Sequence, residues 1–443
     1  MPPPAHRTTC VVVGGGPAGL FLGLLLARGG VEVTVLEKHG DFLRDFRGDT
    51  VHVSTMTLID ELGLWEEFSE LPWKPIHRMR IALDAGVATI ADLSRLREPH
   101  PFIAMVPQWH LLDMLAAAAE REPSFTLVRH AEVLDVLRTS DRVSGVRWAD
   151  RSPDGDGDGD GAVHELAADL VVACDGRSSR VREVSGLPVR EFDVPVDTWW
   201  FRLPRHDGDP EGGLMRRSGD RMIIMLDRGD HYQVAFPIPS GSSDEARHGP
   251  VSVLHDDLLA LHPWLGDRVR ELASWDDVAL LRVRLDRLRE WSAPGVLCLG
   301  DAAHAMSPIG GVGINLAVQD AVAAARLLAP VLAVPRPDPA AVDRAAGRLR
   351  RRRRLPTLAT QAMQRGMHRG GGTVRRPGTP PRPAGVDGPR GAAGSRLPLP
   401  LRLLARVPAL QAVPARIMGV GFRPEHAPDF ARRVAGPPAG TPR

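Results

Sequence analysis

The stretch Cys10-Val11-Val12-Val13-Gly14-Gly15-Gly16-Pro17-Ala18-Gly19 decides the fold. Four strand-forming residues run into a glycine turn, and the apolar segment that follows, Gly16 to Gly29, has the length of a helix. Val31 to Leu36 then alternates apolar and polar residues as a second strand, closed by Glu37. Strand, helix and strand in this order predict an α/β fold. In Gly14-x-Gly16-x-x-Gly19 the first glycine permits the tight turn, and the second lets a pyrophosphate approach the backbone. The third lets helix and strand pack closely. The helix start, with Pro17 and Ala18, adds unpaired N–H groups and a positive dipole end. Glu37, followed by Lys38, stands where an acid accepts a ribose 2′-hydroxyl. An acid there disfavours a 2′-phosphate, so the expected dinucleotide is FAD or NAD rather than NADP. A glycine turn without function is the alternative; strand, helix and acid in register oppose it.

Two further apolar strands end in carboxylates. Asp169-Leu170-Val171-Val172-Ala173-Cys174-Asp175-Gly176-Arg177 ends in Asp-Gly, and Gly295-Val296-Leu297-Cys298-Leu299-Gly300-Asp301-Ala302-Ala303-His304 ends in Gly-Asp. A carboxylate at the carboxyl end of a parallel strand points into the crevice where ligands lie. Asp301 can accept hydrogen bonds from the polyol of an extended cofactor; its alternative is to cap a helix starting near Ala302. The turn Ser307-Pro308-Ile309-Gly310-Gly311-Val312-Gly313-Ile314-Asn315 offers backbone N–H groups at a helix start, which suits the anionic edge of a reduced flavin. An NAD dehydrogenase has no use for the second and third sites. Together the three select FAD.

Bulk properties agree with a soluble enzyme. The 443 residues, 43% hydrophobic and 25% charged, can form two domains with sizeable cores. A net charge of +2 gives no argument for nucleic acid. Cys10, Cys174 and Cys298 fall inside apolar strands, which reads as core rather than a disulfide framework and places the protein in the cytoplasm. Neither the N-terminal residues nor the apolar run Leu20 to Val31 reads as a signal peptide or a membrane span.

Farther along, helices are expected over Ser54 to Leu64, Trp109 to Arg121 and Gly313 to Leu328, the last stopping before Pro330. Strands are expected at Trp199 to Leu203, Met222 to Leu226 and Tyr232 to Ile238. This predicts a discontinuous nucleotide-binding domain (8–75, 100–191 and 284–330) and a substrate-binding sheet domain (76–99 and 192–283). A C-terminal region (331–443) follows, with a disordered Gly/Pro/Arg insertion at 369–398. The arginines Arg350 to Arg354 read as a solvated helix face. Asp154-x-Asp156-x-Asp158-Gly159 with Glu165 satisfies a calcium-loop pattern. Its flanks read as strands where that motif needs helices, so no metal site is expected.

With its three motifs GGGPAG, ACDGRSSRVRE and GDAAHAMSPIGGVGINLAVQD in this order, the sequence resembles the class A flavoprotein monooxygenases of the para-hydroxybenzoate hydroxylase-like family over residues 8–330. The resemblance implies a Rossmann-like FAD-binding domain with an inserted sheet-rich substrate domain and a C-terminal helical region. It implies that Asp175 and Arg177 serve flavin and NAD(P)H handling, and that Asp301, with Gly300, binds the ribityl chain. Pro308 would line the flavin near the substrate. The amides of Ile314 and Asn315, behind Gly311 and Gly313, would meet the pyrimidine edge. Arg47 would lie near the FAD phosphates, and Gln108 would contact FAD. The implied activity is hydroxylation of an aromatic or polyketide-like small molecule with O2 and NADH or NADPH, through a flavin C4a-hydroperoxide.

The family's tyrosine relay cannot be copied, because Tyr232 is the sole tyrosine. His231 and Tyr232 are the candidates to replace it, against the reading of an ordinary edge pair. Trp199, Phe201, Met222, Met225 and Phe236 are candidates for an apolar roof, with some of them in the core because alternate positions face opposite sides. His304 reads as a motif residue outside the chemistry. Trp199-Trp200-Phe201-Arg202-Leu203-Pro204 resembles the WxWxIP element of halogenases at a different spacing. A halogenase, a prenyl-chain reductase or a non-catalytic flavin-binding redox sensor are the alternatives.

Overall fold

The computed structural model describes residues 7–43, 49–153, 161–370, 374–375, 379 and 398–433. Arg7–Val13 is a central strand of an eight-stranded sheet, parallel to Val33–Leu36 on one side and to Val163–Ala173 on the other. Val163–Ala173 pairs in turn with Val296–Cys298, and Val33–Leu36 with Phe125–Val128, both in parallel. The first half of Val163–Ala173 takes an antiparallel partner, Arg142–Asp150, which pairs with Ala131–Thr139. Both flanks of the Asp-Gly repeat are therefore strands. The repeat itself, residues 154–160, lies outside the described residues. Val33–Leu36 is buried along its whole length, Thr34 included, where the sequence alternation suggested one wet face. An interior parallel strand is covered on both sides.

The helix Pro17–Arg28 packs on this sheet beside Gln108–Glu120 and Gly313–Leu332. Gly313–Leu332 runs four residues past its expected end, with Pro330 inside it. Proline removes one hydrogen bond near the last turn, and burial of Leu328, Ala329 and Leu332 offsets that loss. The segment Ile309–Leu332 is long and apolar enough to cross a membrane, but 72% of its apolar window is buried inside this fold, as befits a core helix. The helix expected over Ser54 to Leu64 is instead two. Val53–Glu61 stops before Gly63, whose φ of +70° breaks it, and Trp65–Ser69 follows.

A second, seven-stranded sheet draws on Arg78–Leu83, Gly86–Asp92 and five strands between Val196 and Leu281. Helix Ser252–Leu261 and the 3-10 turn Pro263–Glu271 cover one face, burying Leu254, Leu258, Leu261 and Leu265 against Trp199, Phe201, Met225 and Phe236. His262, at the end of that helix, is buried, and its Nδ1 accepts a hydrogen bond from Trp264 at 3.1 Å. Burial pushes its imidazole from 6.5 down to about 4. The unfolded chain therefore takes up this proton first, and the stability His262 contributes above pH 6.5 is lost as the pH falls towards 4. His262→Gln is expected to flatten the acid limb of urea unfolding over that window; an unchanged pH dependence would contradict it.

The helix Pro339–Gly370 lies against Gly313–Leu332. Its arginine run is only in part the solvated face read from the sequence: Arg351 and Arg354 are exposed, while the other three meet carboxylates. Arg350 pairs with Glu290 at 3.1 Å, and Arg352 binds Glu425 through two bonds of 2.7 and 2.6 Å. Arg353 is fully buried and donates to Asp320 at 2.8 Å. Most of 369–398 lies outside the described residues. Arg375 within it is tied to the second sheet region by its Nη2, 2.8 Å from Asp257, and its amide, 3.1 Å from the Asp220 carbonyl.

Candidate functional site

Strand order makes neighbours of motifs that are far apart in sequence. Glu37, Gly14, Asp175 and Asp301 follow the carboxyl ends of four adjacent parallel strands. Backbone bonds tie these ends in a row: Gly14 N to Leu36 O at 2.8 Å, Cys174 N to Val13 O at 2.7 Å, Leu299 N to Ala173 O at 2.9 Å. At the usual inter-strand spacing the row spans about 14 Å. It can underlie one elongated ligand.

The glycine turn is shaped by contact. Gly14 has φ +102°, and a Cβ there would meet the Cys174 carbonyl oxygen at 2.5 Å. A Cβ on Gly19 would sit 1.9 Å from the Gly14 oxygen, whereas one on Gly16 would meet nothing within 4 Å. No side chain caps the helix that starts at Pro17 and Ala18, so its first N–H groups face the open side. The buried Glu37 carboxylate accepts from Gly15 N at 2.8 Å and His39 N at 3.0 Å, which fixes it beneath the turn. Lys38 is exposed, and Arg47 lies outside the described residues.

The other two ends are joined. Arg177 Nε donates to Asp301 Oδ2 at 3.1 Å, and both side chains are about one-third exposed. The Asp301 carboxylate caps no helix: Gly300–Ala302 is a single 3-10 turn without a side-chain cap, and the next helix starts at Gly313. Asp175 Oδ2 accepts from Val181 N at 3.2 Å, while its Oδ1 is buried without a partner. Burial pushes the Asp175 carboxyl above the usual carboxylate range, with hydrogen bonds from Ser179 and Val181 opposing. His304, next after the Gly-Asp turn, is buried with Nε2 2.5 Å from Asp320, inside the core rather than in the cleft. The three cysteines are free, and burial pushes their thiols up.

The Pro308 turn is held from three sides. Gln364 Nε2 donates to the Ser307 and Ile309 carbonyls at 2.8 and 3.1 Å, and His368 Nε2 lies 2.9 Å from Ser307 Oγ. Thr50 Oγ1 donates to Gly311 O at 3.3 Å. Ser54 and Thr55 donate to the buried Asn315 Oδ1 at 2.8 and 2.7 Å. No side chain caps the helix at Gly313, which leaves the N–H groups of Gly313, Ile314 and Asn315 without side-chain acceptors. Sequence reasoning missed Ser54, Thr55, Gln364 and His368, since nothing local marks a partner roughly 55 to 260 residues away.

An ion pair joins the second sheet to a small three-stranded sheet of Thr50–Val51, Ile103–Met105 and Lys74–Ile76. Arg228 Nη2 lies 2.6 Å from Asp49 Oδ2, and Asp49 Oδ1 accepts from the Gln108 amide at 3.2 Å. Burial raises the Asp49 carboxyl, with Arg228 as the main opposing charge. Arg202 and His231 also bear on Asp49, so their face of the second sheet looks towards Asp49 and the start of Thr50–Val51. Of the expected apolar roof, Trp199, Phe201, Met225 and Phe236 are on the opposite face, under the helices. So is Tyr232, whose hydroxyl donates to Pro210 O at 2.7 Å, and burial pushes its pKa up to about 12. Tyr232 is therefore not brought to the cleft. His231 is on the other face, with Nδ1 2.8 Å from Asp230 and an electrostatic influence on Asp49. Among the described residues no cluster could hold a metal ion.

An unpartnered buried carboxylate oxygen, two uncapped helix starts and a glycine cradle fit FAD. The family described as FAD binding domain matches residues 7–339. A 6-methylpretetramide 4-monooxygenase of Streptomyces rimosus is 32% identical over 72% of this chain and 74% of its own. A 12-dehydrotetracycline 5-monooxygenase/anhydrotetracycline 6-monooxygenase of the same species is 29% identical over 71% of this chain and 61% of its own. The solved structure of PqsL, a probable FAD-dependent monooxygenase from Pseudomonas aeruginosa, superposes with a TM-score of 0.68 at 18% identity. It covers 82% of this chain and 96% of PqsL.

Proposed function

Because the chain belongs to the FAD binding domain family of class A flavin hydroxylases, we propose that it is an FAD-dependent monooxygenase. It takes electrons from NADH or NADPH and hydroxylates an aromatic, polyketide-like small molecule. The observation that carries this reading is the row of strand ends together with the uncapped start of Gly313–Leu332, which suits one elongated dinucleotide. When bound and reduced, FAD supplies the oxygen activation, so no protein nucleophile or metal is needed.

The protein's part is to bind, orient and exclude water. Gly14, Gly16 and Gly19 let the pyrophosphate reach the helix start, and Glu37 takes a ribose hydroxyl. Asp301, oriented by Arg177, holds the ribityl chain. The amides at Gly313, Ile314 and Asn315 stabilise negative charge on the flavin's pyrimidine edge. Pro308, in a turn fixed by Gln364 and His368, would line the flavin on its substrate side. The substrate would lie between this turn and the face of the second sheet that carries Arg202 and His231, near the Asp49–Arg228 pair. The named substrates of the Streptomyces relatives favour a polycyclic aromatic polyketide.

Asp301→Ala is expected to weaken FAD retention about 10- to 100-fold, the loss of charge-assisted bonds to hydroxyls. Unchanged flavin content would remove Asp301 from the site. The function itself is tested with a panel of phenols and aromatic polyketides. The expected result is substrate-stimulated NAD(P)H oxidation with a product heavier by one oxygen atom. Halogenated product would establish a halogenase instead, and flavin binding without turnover a sensor. A protein that stays colourless after FAD addition would overturn all three.

A further inference from the structure

The antiparallel ribbon Val189–Phe192 with Leu285–Leu288 and the helix Pro339–Gly370 enclose a cavity of about 390 Å³. Five arginines line it, Arg190, Arg287, Arg289, Arg350 and Arg354, against one carboxylate, Glu290. Glu290 is taken by Arg350 at 3.1 Å. Among the described residues the other four have no carboxylate at ion-pair distance.

Their surroundings show how little compensates them. Arg287, Arg190 and a further cation, Arg365, all crowd the ring of Phe192, at 4.9, 5.2 and 5.0 Å from its centroid. One aromatic face is a weak counter-charge for three guanidinium groups. Arg287 also donates to Gln361 Oε1 at 3.2 Å, a neutral partner. Partial burial, followed by repulsion from Arg190, Arg354 and Arg365, lowers the Arg287 pKa. Arg287 is half-buried while Arg190, Arg289 and Arg354 reach the solvent, so an anion that enters from outside meets several like charges at once. Arginine forks match phosphate oxygens bidentately. None of these residues belongs to the glycine turn or to the three strand ends.

We propose that this cleft binds a multiply charged phosphate group of a small molecule, with Arg287 and Arg354 gripping it and Arg190 and Arg289 drawing it in. The nicotinamide dinucleotide is one source of that phosphate and a free pyrophosphate or other phosphate ester is another. Only the choice of the dinucleotide rests on the function proposed above. The cleft backs onto the cofactor sheet, because the ring of Trp291, which lines it, packs tilted at 4.9 Å from that of His304 after the Gly-Asp turn.

The test is calorimetric titration of the FAD-loaded protein with inorganic pyrophosphate at low ionic strength. Arg190→Gln/Arg354→Gln is the variant, since among the described residues neither side chain makes a hydrogen bond or ion pair with the fold. Saturable binding that weakens with salt is expected. The variant should lose about tenfold in affinity for each guanidinium removed, with unchanged flavin content. No binding, or equal binding by both proteins, overturns the proposal. Parallel titrations identify the source. Loss for NADPH alone assigns the 2′-phosphate, and equal loss for NADPH and NADH assigns the diphosphate. Loss for pyrophosphate alone supports the cleft and assigns it to a different phosphate ester. Turnover on the aromatic panel is scored separately, so failure of the monooxygenase reading leaves this result standing.

Discussion

Arg353→Met is expected to destabilise the protein by about 3–5 kcal/mol, the usual consequence of removing one partner of a buried ion pair. Arg353 and Asp320 are both fully buried, and Asp320 Oδ1 depends on Arg353 Nε at 2.8 Å. Arg353 Nη1 also donates to the Arg423 carbonyl at 3.1 Å and lies 3.8 Å from Glu425. Burial works against the charged Asp320, but His304 and Arg353 together hold it below the usual carboxylate range. Without Arg353 the carboxylate keeps His304 alone. Arg353→Lys is expected to rescue little, since an ammonium cannot reproduce the fork to Asp320 and the Arg423 carbonyl. Urea unfolding of the three proteins measures the effect. A loss under 1 kcal/mol in Arg353→Met would show that the pair is dispensable.

The second large effect separates shape from approach in the glycine turn. Gly19→Ala puts a Cβ 1.9 Å from the Gly14 oxygen, backbone against backbone, so helix and turn must move apart. Purified Gly19→Ala is expected to carry almost no flavin and to lose roughly 1–3 kcal/mol of stability through overpacking. Gly16→Ala meets nothing within 4 Å and has an ordinary backbone conformation, φ −75°. Its folding stability should stay within about 0.5 kcal/mol of the parent, yet FAD affinity should fall about tenfold or more if the phosphate comes that close. The ratio of flavin to protein absorbance, read beside unfolding midpoints, decides both. Full flavin in Gly16→Ala would move the pyrophosphate elsewhere.

The glycine turn, the two later strand ends and the helix after Gly313 were legible in the sequence, because each rests on local pattern. Their adjacency was not: the order that puts Val163–Ala173 between Arg7–Val13 and Val296–Cys298 is set by pairings more than 100 residues long. The second sheet showed its alternation but not its phase. Trp199 and Tyr232 are equally good strand residues on either face, and only the helix layer of Leu254 and Leu258 draws them inward. The arginine run misled for a related reason. Charge along a helix says nothing of what lies opposite, and here Asp320 and Glu425 arrive from other segments.

The pairing of Val296–Cys298 with Val163–Ala173 also governs how the chain matures on the ribosome. Until residue 298 has emerged, the Asp-Gly strand has Arg7–Val13 on one side but lacks its second parallel neighbour over Val171, Val172 and Ala173, and Leu20 to Leu26 lack the helix Gly313–Leu332 that packs on theirs. Roughly two-thirds of the polypeptide must therefore wait with apolar surface open, and long-range parallel pairing is slow. The late helix carries the segment Ile309–Leu332, long and apolar enough by composition to cross a membrane, so while it waits it exposes a large apolar surface. Yield from a heterologous host should thus track chaperone supply and translation speed more than the stability of the finished fold.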